Sequence, residues 1–452
     1  MYLSRGGFNL RKVRRNNPNR MALYLILIIA GLYVLNLVRA EEVQPLFVPT
    51  PTATRNPVSY SEEAETQFSA GQLDKAIEAY QSAIALDPTR VDYHIRLARI
   101  QVYAGQPEEA VKTAEKARLL APENSATHTV LALALDWTGE YEAASDAAVR
   151  AIQLDPNNAL AHAYYAEILT DLQRYAQARD EAKEALRLDP NSMDAYRVYG
   201  YYLETTSNYE EAIEAYKSAV QINPYLPFLY MQIGVNYRAI FEYDLAVQYF
   251  QRASAINPDD IGPYLSISRT YFQTGEYGRS SQYLESALEI DPANAAVHGQ
   301  LGLVYFRSLN YEGAILELGC AVDGCAWRDG DVIRVNTEVV KLGCSFVEKG
   351  CPESDKPEVQ VEGLGLEKTS LETYYTYSSV LAALAVPPEA PYCIRARPLF
   401  QQILAQFSDD PIVVGIMQEN ENVCQIADGK AANPDFVLTP GPTSTLAATP
   451  SP

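Results

Sequence analysis

The chain has 452 residues and a formal net charge of −21. This length is more than one small hydrophobic core requires, so several structural units are expected. An acidic field of this size repels a phosphate backbone, which argues against nucleic acid as a ligand, and the acidity itself is typical of a well-solvated surface.

The chain begins with a basic leader, residues 1–20, which carries six cations and no acidic residue. Residues 21–38 follow and are apolar except for Asn36. Eighteen residues rise about 27 Å as a helix, close to the ~30 Å hydrocarbon core of a bilayer. We therefore expect a single-pass anchor in the cell membrane, with a cytoplasmic N-terminus and the remaining chain extracytoplasmic. A cleaved signal peptide is the alternative, because Val38–Ala40 offers small residues at the offsets of a cleavage site.

Two segments are rich in proline and threonine. Residues 39–56 are predicted to be an extended linker between the anchor and the rest of the chain. Residues 435–452 have a composition that cannot bury a core, which predicts a disordered tail.

Between these segments, prolines recur with a constant step of 34 residues. They are Pro88, Pro122, Pro156, Pro190, Pro224, Pro258 and Pro292. Alanine stands five residues before each proline, and a small residue stands twelve before it. Small residues at fixed offsets let two helices per unit approach closely, and proline separates the units because it cannot continue a helix interior. A fixed period of this length indicates a solenoid of stacked units.

This pattern resembles the tetratricopeptide repeat, a 34-residue helix–turn–helix unit. The resemblance covers residues 57–326 as eight units, and the eighth has Ala326 where proline is due. It implies an all-α fold, a right-handed α-solenoid of eight to nine helical hairpins.

Local signals place the ends of the helices within each unit. The turns carry residues that tolerate left-handed backbone, which are Gly71, Gly105, Gly139, Gly275, Asn208 and Asn310. The next unit is expected to begin at a side chain that caps its first helix, namely Asn158, Ser192, Asp260 or Asn294.

The period fails after the eighth unit. Residues 327–370 are expected to form an irregular insertion with two short strands, Val332–Val335 and Val359–Val361, preceded by a turn-rich stretch at Asp323–Gly330. Residues 371–434 are interpreted as an irregular ninth helical pair that caps the solenoid.

All six cysteines lie in this C-terminal part of the chain. In an oxidising compartment an even number of cysteines predicts disulfides. Short loops favour the pairs Cys320–Cys325 and Cys344–Cys351, which leaves Cys393–Cys424. Six cysteines allow fifteen pairings, and free buried thiols are the alternative.

No catalytic or metal-binding constellation is recognisable in the sequence. The four histidines, His94, His128, His162 and His298, share one register position with tyrosines of the other units, which indicates a packing slot. Cysteine spacings typical of zinc or haem sites are absent, and so are common nucleotide-binding and hydrolase motifs. We therefore expect no metal, no cofactor and no enzymatic activity. The alternative is a small enzymatic or ligand-binding domain at residues 327–434, carried on a repeat spacer.

The resemblance also implies a binding surface. In tetratricopeptide proteins the first helices of the units line a concave surface that binds an extended peptide or a helix. The register assigns this surface to Trp137, Tyr201, Arg238, Arg269, Phe272, Phe306 and Arg307.

This set contains three arginines, although the chain as a whole is acidic. Because a guanidinium group pairs with a carboxylate, the set predicts an acidic peptide or a C-terminal carboxylate as ligand. Pairing of the arginines with acids such as Glu204 is the alternative. We expect such groove side chains to take no part in packing between helices. The resulting hypothesis is an extracytoplasmic scaffold for protein partners, with assembly of an envelope complex among the roles that the resemblance implies.

Overall fold

The computed structural model describes residues 18–39, 55–337, 339–385 and 391–429. The chain divides into two units, Met1–Asn56 and Pro57–Pro452. In the first unit, helix α1 spans Pro18–Arg39, and its segment Pro18–Asn36 is long and apolar enough to cross a membrane. A signal sequence near an N-terminus meets the same criterion. Most of the leader, most of the linker and the whole predicted tail lie outside the described residues.

The second unit begins with eight consecutive helical hairpins, which form the expected α-solenoid. Their first helices are α2 Pro57–Ser69, α4 Val91–Tyr103, α6 Ser125–Trp137, α8 Ala159–Asp171, α10 Met193–Thr205, α12 Pro227–Ala239, α14 Ile261–Gln273 and α16 Ala295–Arg307. Their second helices are α3 Leu73–Leu86, α5 Pro107–Leu120, α7 Tyr141–Leu154, α9 Tyr175–Leu188, α11 Tyr209–Ile222, α13 Tyr243–Ile256, α15 Tyr277–Ile290 and α17 Tyr311–Asp323.

The small residues that recur in register lie where the two helices of a hairpin meet. A Cβ built on Gly234 of α12 would lie 2.5 Å from the Phe250 ring of α13. A Cβ built on Gly302 of α16 would lie 2.6 Å from Leu318 of α17. The side chain of the second helix fills this space, so the first helix carries no side chain of its own there.

In six of the seven units with a repeat proline, the ring six residues after the proline forms a hydrogen bond with that proline's carbonyl oxygen. His94 Nε2 lies 3.0 Å from the oxygen of Pro88. His162 makes the same contact through Nε2, and its Nδ1 lies 2.6 Å from Glu181. Both neighbours of the His162 ring are acceptors, so the protonated ring can donate to both, and the hydrogen bond to Glu181 raises the pKa of His162. This register position is a structural slot, as the sequence suggests.

The predicted helix caps are confirmed. Asn158, Ser192, Asp260 and Asn294 each accept a hydrogen bond from a backbone N–H in the first turn of the following helix.

The four predicted turn glycines have left-handed backbone, but the assignment of Asn208 and Asn310 to this role is wrong by one residue. Ser207 and Leu309 have the positive φ instead. Asn208 and Asn310 are the residues that immediately precede α11 and α17, with φ of −94° and −86°.

The C-terminal part contains a small sheet and three helices. The sheet is antiparallel with strand order β2-β1-β3, where β1 is Cys325–Arg328, β2 is Asp331–Val335 and β3 is Val359–Val361. A short 3₁₀ helix, Cys344–Phe346, lies between β2 and β3, and the helices are α18 Leu371–Leu384, α19 Tyr392–Phe407 and α20 Pro411–Ala427.

Both predicted strands are present, but the interpretation of Asp323–Gly330 as turns is wrong in its centre, where β1 lies. Helix α17 ends at Asp323, three residues before Ala326, because Gly324 adopts a φ of +74° and leads directly into β1.

Three disulfides connect these elements. Cys320–Cys325 joins α17 to β1, Cys344–Cys351 closes a loop between β2 and β3, and Cys393–Cys424 joins α19 to α20. They are the two pairs that short loops in the sequence favour, Cys320–Cys325 and Cys344–Cys351, and the pair that remains.

Candidate partner-binding site

The concave interior of the first hairpins is occupied by the protein's own side chains. Tyr103 of α4 stacks on Phe228 of α12, with ring centroids 5.2 Å apart, and its hydroxyl donates to Asp194 of α10. A Cβ built on Gly71 would clash with the carbonyl oxygen of Tyr225, so the first hairpin packs directly against the loop between α11 and α12. The first hairpin therefore contacts later hairpins directly, and a solvent-open depression of about 510 Å³ lies beside this contact.

Two residues of the predicted surface, Trp137 and Tyr201, belong to this part of the solenoid. The Trp137 indole N–H donates to Glu167 at 3.3 Å, and the Tyr201 hydroxyl donates to Asp171. Glu167 also receives two hydrogen bonds, of 2.6 and 2.5 Å, from the Arg197 guanidinium. Trp137 and Tyr201 thus border a network of charged groups on α6, α8 and α10.

The predicted arginines lie further along the solenoid. The guanidinium of Arg238 lies 5.6 Å from the centre of the Phe250 ring, and its Nη1 is buried without a hydrogen-bond partner among the described residues. Burial, reinforced by the positive charge of Arg269, lowers the pKa of Arg238. Two like charges therefore lie close together with no anion between them.

The expected alternative, pairing of the arginines with Glu204, is not observed. Glu204 instead accepts hydrogen bonds from the Tyr216 hydroxyl at 3.0 Å and from the Asn236 amide at 2.8 Å. Within the described part of the chain, no carboxylate lies at ion-pair distance from Arg238, Arg269 or Arg307. These guanidinium groups remain available to an external anion.

An open groove lies at the C-terminal end of the solenoid, between α16, α18 and α20. Its volume is about 760 Å³, and most of the lining surface is apolar. Small side chains of α18 line it, and larger apolar side chains of α16 and α20 stand on either side. They include Thr376, Ser379, Ala383, Leu303, Phe306, Ile412, Ile416 and Val423. Arg307 lines the same groove, so two residues of the predicted surface belong to it.

Several covalent and polar contacts fix α20, which forms one wall of this groove. The Cys393–Cys424 disulfide ties α20 to α19. The Asn420 amide donates to Ser379 of α18 at 2.9 Å, and Arg397 of α19 donates to Asp428 at 2.7 Å. The groove is therefore a preformed feature of the fold.

Charged groups surround the apolar lining. Arg307, Lys368, Glu372 and Asp410 all border the groove. Burial and the negative charges of Glu372 and Asp410 raise the pKa of Tyr375 to about 12. The positive charge of Arg307 acts in the opposite direction. Tyr375 is therefore a neutral phenol at physiological pH and a hydrogen-bond donor at this surface.

The repeat region matches two family models, each described as tetratricopeptide repeat. One covers residues 67–134 and 241–299, and the other covers residues 129–192 and 166–227. The chain is a tetratricopeptide-repeat protein. Proteins of this family generally bind protein partners, so the fold serves as an interaction scaffold.

The chain is also similar in part to solved structures, at low sequence identity. A chain of the APC/C hetero-tetramer Cut9–Hcn1 is 18% identical over 56% of this chain and 50% of its own, with a TM-score of 0.47. A tetratricopeptide repeat protein from Parabacteroides merdae is 17% identical over 55% of this chain and 98% of its own, with a TM-score of 0.37. The protein thus spans half the length of the Cut9–Hcn1 chain. No curated protein sequence matches it significantly.

The groove of this tetratricopeptide-repeat protein lies at the end of the matched repeats, which stop at residue 299. The repeat register assigns surface residues only within the repeats, so it could not identify the residues of α18 and α20 that line the groove. The apolar residues Ile412, Val413, Ile416 and Val423, at helical spacing, were the sequence signal for the second wall.

The expectation that groove side chains take no part in helix packing is wrong for two residues. Phe272 and Phe306 each pack edge-on against the tyrosine that begins the second helix of the same hairpin. The ring centroids are 5.5 Å apart for Phe272 and Tyr277, and 5.9 Å apart for Phe306 and Tyr311. Both phenylalanines therefore pack within their own hairpins, and Phe306 also lines the groove.

Proposed function

We propose that this protein is a membrane-tethered, extracytoplasmic scaffold that binds an acidic peptide segment of a protein partner. The peptide lies along the concave surface of the later repeats and enters the groove between α16, α18 and α20. The observation that carries this proposal is the open apolar groove lined by Arg307, which has no carboxylate at ion-pair distance among the described residues.

The chemistry of the surface favours such a ligand. A guanidinium group binds a carboxylate through two parallel hydrogen bonds, which fixes both position and orientation. A carboxylate beside Arg238 and Arg269 would also relieve the repulsion between these two cations, which adds to burial in lowering the pKa of Arg238 in the free protein. Apolar side chains of the same peptide would fill the groove beside Phe306, where aromatic and arginine anchors dominate interface energetics.

Two observations support the proposed location. Helix α1 contains a segment long and apolar enough to span a membrane, and the leader before it is basic. All six cysteines are paired, which is typical of an oxidising compartment. A scaffold held outside the cytoplasm by its N-terminus would serve in the assembly of an envelope complex.

Protease treatment of intact cells tests this topology. The expected result is digestion of the repeats with protection of the basic leader. Protection of the repeats would contradict the orientation. A mature protein that begins after Ala40 would show that α1 is a signal peptide, while leaving the compartment unchanged.

Binding is tested with the full chain, captured from cells in non-ionic detergent with its partners, which mass spectrometry identifies. The affinity of the purified partner is then measured for Arg269→Ala and Phe306→Ala. Each change should weaken binding by about tenfold or more, since loss of a hot-spot anchor costs roughly 2 kcal/mol. The control Arg150→Ala removes an exposed arginine that is paired with Glu123 on another part of the solenoid, and it should leave the affinity unchanged. Full affinity in both groove variants would place the binding surface elsewhere.

A second candidate function is the binding of a small apolar molecule in the same groove. A volume of about 760 Å³ is within the usual range for small-molecule sites, roughly 300–1,000 Å³, and the lining is mostly apolar. Extraction of the purified protein followed by mass spectrometry would reveal such a molecule. If it competes with the partner peptide, the groove is a ligand site whose occupancy controls the scaffold.

A further inference from the structure

A second, chemically opposite site lies on α6 and α8, at the other end of the concave surface. Asp136, at the end of α6, is only 5% exposed, yet no described group donates a hydrogen bond to its Oδ1. A buried carboxyl oxygen without a donor is costly, and native structures usually satisfy such atoms.

The carboxyl groups around Asp136 outnumber the cations near them. Glu167 and Asp171 of α8 act on Asp136 as negative charges, and Arg197 is the one cation with a comparable influence. Arg197 is already committed to Glu167 through two hydrogen bonds. Three carboxyl groups therefore share one guanidinium, and Asp136 and Asp171 have no positive partner of their own.

The two carboxyl groups therefore hold their protons to a higher pH than isolated carboxyl groups do. Burial, and then the charges of Glu167 and Asp171, raise the pKa of Asp136 well above its usual value, and burial also raises the pKa of Asp171. The two groups lie within hydrogen-bonding reach of each other, so a single proton can bridge them.

The cluster can be reached from the surface. Trp137 is 41% exposed, with its N–H directed to Glu167, so its ring system is accessible beside the acids. Asp171 and Tyr201 are both partly exposed. The buried carboxyl of Asp136 thus lies behind an accessible rim that combines an indole, a phenol and a carboxyl group.

We propose that Asp136, Asp171 and Trp137 form a binding site for the side-chain ammonium group of a lysine in a protein partner. A compact ammonium group has three donors and can contact both carboxylates at once. The adjacent indole adds a favourable cation–π contact for the ammonium or the end of its stem. The site is separate from the groove and prefers the opposite charge, so it does not depend on the function proposed above.

The site predicts a characteristic dependence on pH. The ammonium must displace the proton shared by Asp136 and Asp171, so lysine binding strengthens as the pH rises through the raised pKa of Asp136. The neighbouring charged and titratable groups are Glu167, Arg197, Tyr201 and Tyr141. The pKa values of both tyrosines are raised, so these side chains remain neutral across this range.

The test uses the full chain in non-ionic detergent at about 0.15 M salt, where screening limits non-specific attraction. The probe is fluorescein-labelled tetralysine, compared with the same peptide acetylated on every side chain. The variant Asp136→Asn/Asp171→Asn is matched by Glu210→Gln/Glu211→Gln, which removes the same formal charge from exposed positions of α11. We expect tetralysine to bind about tenfold or more weakly to the first variant, and at nearly wild-type affinity to the second.

Two outcomes would overturn the proposal. Equal losses in the two double variants, or equal binding of the acetylated peptide, would show that only the overall negative charge attracts tetralysine. Tryptophan fluorescence keeps the proposal testable if the variant Asp136→Asn/Asp171→Asn does not fold. Tetralysine should change the tryptophan emission of the wild-type protein and not that of Trp137→Phe, and an unchanged wild-type emission would also refute the site.

Discussion

The disulfide between Cys393 and Cys424 should determine whether the groove keeps its shape. It closes a loop with a sequence separation of 31 residues and ties α20 to α19. Chain-entropy arguments assign a cross-link of this span about 3.7 kcal/mol of stabilisation at 25 °C. Both cysteine side chains are buried. Replacing them by alanine, which is apolar, removes the cross-link without placing a polar group in the core.

The expected effect is local. Helix α20 keeps its buried residues Val413, Met417 and Val423, and its hydrogen bond from Asn420 to Ser379, so it should still form. Its opening should become easier by up to about 3.7 kcal/mol, which corresponds to amide exchange several hundred times faster in α20. Hydrogen exchange followed by mass spectrometry measures this directly, and affinity for a groove ligand should fall in parallel.

The matched control is the double variant Cys344→Ala/Cys351→Ala. That disulfide spans only 7 residues in the loop between β2 and β3, for which the same argument gives about 2.4 kcal/mol. Exchange in α20 should not change in this control. If α20 keeps full protection without Cys393–Cys424, or loses it equally in both variants, the disulfide does not hold the wall of the groove.

Two further predictions concern the repeats. Gly234→Ala should destabilise the protein by about 2 kcal/mol or more in denaturant unfolding, because the new methyl group overlaps the Phe250 ring. Gly278→Ala, where nothing lies within 4 Å, should be neutral or slightly stabilising, and equal effects would refute the packing argument. The NMR titration midpoint of His162 should lie above about 6.5 and fall in Glu181→Gln. The stabilisation from His162 should be complete below about pH 6.5 and disappear as the pH rises through the raised pKa, and an unshifted midpoint would contradict the doubly donating ring.

The regular part of the fold was predictable because each unit repeats the same local physics. The 34-residue period, the small residues at fixed offsets and the four capping side chains all act within one hairpin or between neighbouring hairpins. The disulfide pairs Cys320–Cys325 and Cys344–Cys351 followed from short loops in the same way. Strand β1 was not predicted because its four residues lie between two turn sequences, Asp323–Gly324 and Asp329–Gly330, so the whole stretch was interpreted as turns.

The site was only partly predictable because its shape depends on contacts between distant residues. The hydrogen bond from Tyr103 to Asp194 joins residues 91 positions apart, and it forms only after the solenoid has curved through several units. No single repeat shows that the first hairpin packs against the loop between α11 and α12, or that the groove beside α16 is open. Phe306 and Arg307 were found by register, whereas Ile412 and Ile416 lie on a helix outside the period.

The central claim is that a partner occupies the groove between α16, α18 and α20. Its most direct test is site-specific photo-crosslinking in cells from p-benzoylphenylalanine at Ser379, which lines the groove, compared with Lys183, which is exposed on α9. The account predicts a discrete partner adduct from Ser379 that disappears when Phe306→Ala is added, and no such adduct from Lys183. Equal labelling from both positions, or an adduct from Ser379 that survives Phe306→Ala unchanged, would contradict it.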